Sequence, residues 1–200
     1  MPYSHQLTDA EKREILRIAR TAIAEWTLSQ RLPPGKPHKK TLLEPAGAFV
    51  SLHRGNALRG CIGIVEAQKP LYLAVQEMAV AAATRDPRFG PVTSRELDEL
   101  DIEVSVLGGL EPLGSPADVA IGVHGLSIDQ GGARGLLLPQ VASKRGWSAE
   151  EFLAALCEKA RLPDDAWQRD DAVIQRFTAQ VFDDDEYPPI DPMALLGEDD

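Results

Sequence analysis

Ser51-Leu52-His53-Arg54-Gly55 is echoed later in the chain by Ser127-Ile128-Asp129-Gln130-Gly131, and Arg59-Gly60 by Arg134-Gly135, with a single one-residue gap. Each copy centres on a turn whose residues tolerate positive φ, set between two runs of strand length. The first pair of runs is Ala48 to His53 and Ala57 to Val65; the second is Leu126 to Asp129 and Gly135 to Leu138. A helix is expected after the first hairpin from about Pro70 to Thr84, with Leu71, Val75, Met78, Ala79 and Ala82 on its apolar face. Ile102, Val104 and Val106 then alternate with Glu103 and Ser105, the period of a strand with one buried face. After the second hairpin, Ser148-Ala149-Glu150-Glu151 opens a helix with Phe152, Leu153, Leu156 and Cys157 inward, and Val173 to Phe182 reads as a last strand. The sequence therefore predicts an α+β fold of two hairpin-helix-strand repeats, about 47–107 and about 122–182. Two copies suit a pseudo-twofold domain, since stacked solenoids need at least three.

Ahead of the first repeat, Thr8-Asp9-Ala10-Glu11 forms a capping box, and Ile15, Ile18, Ala19, Ala22 and Trp26 give one apolar stripe, so a core-packing helix is expected over about 8–28. Gln30 to Pro45 carries four prolines and four basic residues and reads as a surface connection. It has no interleaved aromatic residues to stack bases, which argues against nucleic acid. Residues 1–182 are expected to form a single domain and residues 183–200 an acidic mobile tail.

Composition narrows the function classes. Of the net charge of −10, eight acids lie in residues 183–200 with no Lys or Arg, so the body is nearly neutral and carries no basic footprint. No apolar run reaches the roughly 20 residues of a membrane span, and no export signal opens the chain, so a cytoplasmic protein is expected. Cys61 and Cys157 are the two cysteines, without a C-x-x-C pair or histidines at ligand spacing. That pattern supports no zinc site, and the sequence names no cofactor.

Five motifs in order, Leu58-Arg59-Gly60-Cys61-Ile62-Gly63, Asp86-Pro87-Arg88-Phe89, Ile102-Glu103-Val104-Ser105-Val106-Leu107, Gly122-Val123-His124-Gly125 and Leu137-Leu138-Pro139-Gln140-Val141-Ala142 with Gly146-Trp147, closely resemble the AMMECR1 domain family, called protein A of the AmmeMemoRadiSam system in prokaryotes. The resemblance spans nearly the whole chain. It implies two β-rich and helical repeats sharing one barrel-like sheet, which agrees with the internal duplication. It carries no established reaction. Members of that family occur beside or fused to Memo-like proteins and near radical SAM proteins, which implies a shared pathway.

The candidate site centres on Cys61. Strand alternation places Arg59, Cys61 and Gly63 on one face and Leu58, Gly60 and Ile62 on the other. At two residues' rise, about 6.6 Å, a guanidinium favours a thiolate by about 0.6 kcal/mol in water and about 2.5 at an effective dielectric near 20. Burial opposes this, and the plain alternative is that Cys61 is a small core residue. Gly60 and Gly63 mark a bulge or a close approach of backbone or ligand. Glu103 is a candidate base or a partner for Arg59, if it is not a solvated charge. Arg88 is a candidate anion ligand, if it does not simply brace its turn. His124 is a candidate base for Cys61, if it is not structural. The leading expectation is a cleft with Cys61, Glu103 and His124 as catalytic candidates and Arg59, Gly60, Gly63 and Arg88 as binding candidates. The rival is a non-catalytic module that holds a partner peptide or small metabolite.

Overall fold

A computed structural model describes residues 5–32 and 37–188 of the chain. It is a mixed helix-and-strand fold built on antiparallel pairs, and its contacts divide it into two compact units. Among the described residues, the larger comprises 5–32, 37–106 and 180–188, and the smaller 107–179.

In the larger unit, helix α1 (Asp9–Ser29) opens with the capping box read from the sequence: the Thr8 side chain accepts from the Glu11 backbone N–H, and the Glu11 carboxylate accepts from the Thr8 N–H at 2.8 Å. Strands β1 (Ala48–Arg54) and β2 (Ala57–Ile64) form the first hairpin, and Gly55 at φ 57° makes its turn. Helix α2 (Leu71–Thr84) and strand β3 (Asp101–Leu107) follow, and β1 pairs antiparallel with both β2 and β3. Ile15, Ala19 and Ile23 of α1 and Leu71, Val75 and Ala82 of α2 share one core with Val50 and Leu52 of β1 and with Ile102, Val104 and Val106 of β3.

In the smaller unit, the short β4 (Glu111–Pro112) precedes a second hairpin of β5 (His124–Gln130) and β6 (Ala133–Leu137). Helices α3 (Pro139–Arg145) and α4 (Ala149–Lys159) come next, then β7 (Val173–Asp183), whose last residues lie in the larger unit. β5 pairs antiparallel with β6 and β7, as β1 does with β2 and β3, so the two repeats have the same connectivity. Phe152, Leu153, Leu156 and Cys157 of α4 are buried with Leu126 and Ile128. Helix α3 is an addition to the sequence reading. Pro139 sits in its first turn and Gly146, at φ 66°, ends it, so only seven residues carry its periodicity.

Residues 183–188, assigned to the tail in the sequence reading, are packed. Asp184 accepts the Ile102 N–H at 3.0 Å and pairs with Arg20. Tyr187 is buried edge-on against Phe182 and accepts a hydrogen bond from Lys12 Nζ at 2.7 Å. The remainder of the tail, residues 189–200, and the prolines at 33 and 34 with Lys36 lie outside the described residues.

The aligned glycines carry the same load in both repeats. A Cβ on Gly60 of β2 would stand 2.2 Å from the Ala82 carbonyl oxygen of α2, and one on Gly135 of β6 would stand 2.9 Å from the Leu156 carbonyl oxygen of α4. Helix backbone and strand thus meet without a side chain between them. Gly60→Ala and Gly135→Ala are each expected to destabilise the protein by about 1–3 kcal/mol or more. Gly90→Ala, at a position where a Cβ meets nothing within 4 Å, is the control that stays near wild type in urea denaturation.

Candidate functional site

β2 stands at the end of the strand order, with β1 on its paired side. The register places Ser51 opposite Cys61, and Glu103 of β3 opposite Ser51 on the other side. Directly opposed residues share a face, so Cys61, Ser51 and Glu103 form a row across three strands. The Cys61 N–H is directed away from β1 and donates to Asp86 Oδ2 at 2.9 Å. The Ser51–Cys61 pair is therefore of the non-hydrogen-bonded kind, which brings side chains closest. Accordingly the Ser51 hydroxyl donates to Cys61 Sγ at 3.2 Å. Cys61 is half-buried, Ser51 is buried and Glu103 is half-buried.

Asp86 comes from the turn that ends α2. Pro87 stops the helix, and the Asp86 side chain, 4 % exposed, folds back to accept from the Cys61 N–H, the Arg88 N–H, Arg88 Nε at 2.9 Å and Arg88 Nη2 at 2.7 Å. The guanidinium bonds, with the two backbone N–H groups, hold this carboxyl far below the usual carboxylate range against the opposing effect of burial. Asp86 in turn raises the pKa of Arg88, and the neighbouring Cys61 adds to that effect. The acid and base of the motif thus brace each other and tie the backbone of Cys61 to the Arg88 side chain.

Arg59 does not stand ready beside the thiol. The β1–β2 register shifts between Leu52 and His53, leaving Arg59 as the bulged residue without a partner on β1. Its side chain runs to the segment after α2, where Nε donates to Glu96 Oε1 at 2.8 Å and Nη1 donates to the Gly90 carbonyl at 2.9 Å. Phe89 lies between the two arginines, 5.9 Å from the Arg59 guanidinium and 5.4 Å from that of Arg88. Gly60 and Gly63 have packing explanations: Gly60 admits the Ala82 carbonyl, and the Phe49 ring lies directly over Gly63. His124 belongs to the smaller unit, and its Nδ1 accepts the Ala120 N–H at 3.0 Å, closing a turn before β5. Cys157 is fully buried, and that burial pushes its thiol up. No three His, Cys, Asp or Glu side chains among the described residues are placed to hold a metal ion. No helix among them is long and apolar enough to cross a membrane.

Three participants are absent from the sequence reading of the site: Ser51, Glu96 and the carboxylate of Asp86 as a ligand of the strand. Ser51 was hidden by the bulge: counted out from the turn pair Arg54–Ala57, the hairpin register sets Ser51 against Gly60, and only the shift between Leu52 and His53 brings it opposite Cys61. Glu96 had no local signal.

Comparison with known proteins places this geometry in a family. The AMMECR1 family model matches residues 16–182, and the chain belongs to that family. It is 47 % identical over 188 residues to a protein of Methanothermobacter thermautotrophicus, covering 90 % of this chain and 97 % of the relative. It is 43 % identical over 195 residues to a protein of Thermococcus kodakarensis, covering 92 % and 95 % respectively. The crystal structure of an uncharacterized protein from Pyrococcus horikoshii matches with a TM-score of 0.82 at 40 % identity, over 86 % of this chain and 91 % of that one.

The Arg59–Glu96 pair predicts an acid-linked loss of stability. Hydrogen bonds from Arg59, then from Thr93, lower the Glu96 pKa from 4.5 to about 2. A depressed carboxyl stabilises the fold above its unfolded pKa and stops doing so as pH falls through the folded one. Glu96→Gln is therefore expected to cost roughly 1.5–3 kcal/mol at pH 7. In urea denaturation the gap to wild type should close between pH 4.5 and about 2; a gap that is constant with pH contradicts the assignment.

Proposed function

We propose that this chain carries a cytoplasmic, thiol-dependent site in which Cys61 is the nucleophile toward a small electrophile. The observation that carries the reading is the half-buried Cys61, whose Sγ accepts a hydrogen bond from the Ser51 hydroxyl at 3.2 Å, in contrast to the fully buried Cys157. In the step envisaged, Sγ forms a bond to an electrophilic carbon, the leaving group takes its electron pair, and the thiol proton passes to water, and through water to Glu103, which lies two strands away. Glu103 enters as the carboxylate on the same face. His124, whose Nδ1 already serves a backbone N–H, is not assigned a role. A place in a pathway with a Memo-like protein and a radical SAM protein is part of the proposal, and its support is the family resemblance.

One observation favours the rival reading of a non-catalytic binding module. The group that hydrogen-bonds Sγ is a hydroxyl, which is not a base at neutral pH.

Alkylation of the native protein separates the two. Cys61 is expected to react with iodoacetamide in the folded state faster than Cys157, which should stay protected until unfolding. Ser51→Ala should change the Cys61 rate severalfold while leaving Cys157 unaffected. A Cys61 that is protected as fully as Cys157 sinks the nucleophile and leaves the binding module.

A further inference from the structure

Arg88 is anchored in a way that leaves three of its five N–H donors without a bond to any described residue. A guanidinium has five N–H donors in a planar fork. Asp86 takes the edge made by Nε and one N–H of Nη2. Nη1 makes no hydrogen bond to any described residue, so the Nη1–Nη2 edge, on a side chain that is 54 % exposed, is unoccupied. That edge has the geometry that accepts the two oxygens of a carboxylate or a phosphate.

The edge is also preorganised. The carboxylate that holds it is itself buried and fixed by the Cys61 N–H, and the Phe89 ring lies 5.4 Å from the guanidinium. An anion arriving there meets an arginine whose rotamer entropy is already lost, which is the costly part of recruiting a flexible cation. Charge agrees. Asp86 neutralises one of the two basic residues of the turn, and Arg85, exposed at the end of α2, leaves a surplus positive charge that also offsets the negative end of the helix. Because Asp86 bonds both the Cys61 backbone and Arg88, the open edge is held at a fixed position relative to the thiol.

We propose that the outer edge of Arg88 recognises an oxyanion, the carboxylate or phosphate of a small molecule, and holds that molecule at Cys61. The identity of the ligand class deepens the reading of Cys61 as a reactive thiol, but the anion site stands on Arg88 and Asp86 and is testable apart from it.

The experiment is an NMR titration of the full-length protein, following the Arg88 side-chain Nε–H resonance with inorganic phosphate and, separately, with acetate. Ionic strength is held constant with chloride, so that simple screening is removed. A saturable shift with either anion is the expected result, and the anion that gives the tighter saturation names the class. Arg88→Lys, which keeps a cation beside Asp86 but has no fork, should weaken the anion's effect on neighbouring backbone resonances by about tenfold, the loss of one charge-assisted hydrogen bond. Cys61→Ser should leave the titration unchanged, so an inert thiol and an absent anion site give different results. No saturable shift with either anion overturns the proposal, as does a titration that survives Arg88→Lys intact or disappears in Cys61→Ser.

Discussion

A buried carboxylate makes the candidate site a unit. Asp86 is almost inaccessible to water, and an ionised carboxylate in such a place is tolerated only when its lone pairs are matched by donors. It has them from two directions: the edge of β2, through the Cys61 N–H, and its own turn, through the backbone and side chain of Arg88. Removing either set leaves that buried charge only partly compensated, so the strand and the turn hold each other in place. This arrangement depends on the approach of α2 to β2. The turn that carries Asp86 begins where α2 ends, and α2 lies against β2 because residue 60 has no side chain to stand between the Ala82 carbonyl and the strand. A close backbone contact in the core thus sets the distance at which a carboxylate reaches the strand edge.

The duplication separates what belongs to the frame from what belongs to the site. Both repeats use a glycine on the second hairpin strand against a helix carbonyl, Gly60 with Ala82 and Gly135 with Leu156. Both place a serine of the first hairpin strand opposite the residue that follows that glycine. In the first repeat the pair is Ser51 with Cys61; in the second it is Ser127 with Leu136. The frame has been kept twice, while the thiol occurs in one copy. A thiol is not needed for the hairpin to close or for the helix to pack, since leucine serves at the equivalent position. Cys61 therefore calls for an explanation beyond the fold.

Most of the fold was legible because it is encoded locally. Thr8 with Glu11 and Ser148 with Glu151 announce helices through capping boxes that the structure contains, and the 3.6-residue spacing of Leu71, Val75, Ala79 and Ala82 marks the buried face of α2. Helix α3 was not legible: it is two turns long and begins at Pro139, directly after a strand-like apolar run. The site was less readable for a different reason. Strand alternation assigned Arg59 to the face of Cys61, but a bulge at Leu52/His53 breaks the alternation at that residue. The glycine that follows Arg59 was a sign of such a break, though not of its direction. The partner that decides the fate of Arg59 is Glu96, on the far side of α2, and pairing over that distance is set by the packing of the helix and by nothing in either residue's neighbourhood.

The two cysteines show how far environment decides what a thiol is for. Cys157 lies on the inner face of α4 with Phe152, Leu153 and Leu156, where a compact, weakly polar side chain fills space and burial keeps it protonated. Cys61 has a hydroxyl on one side, a carboxylate bonded to its own backbone and a guanidinium within electrostatic reach. A serine would take the hydrogen bond from Ser51 equally well, over a shorter and stronger contact. What sulfur adds at such a position is nucleophilicity. The physical argument for chemistry at this edge of β2 is therefore the mismatch between the residue and its polar, half-open surroundings, in a frame that the second repeat builds without it.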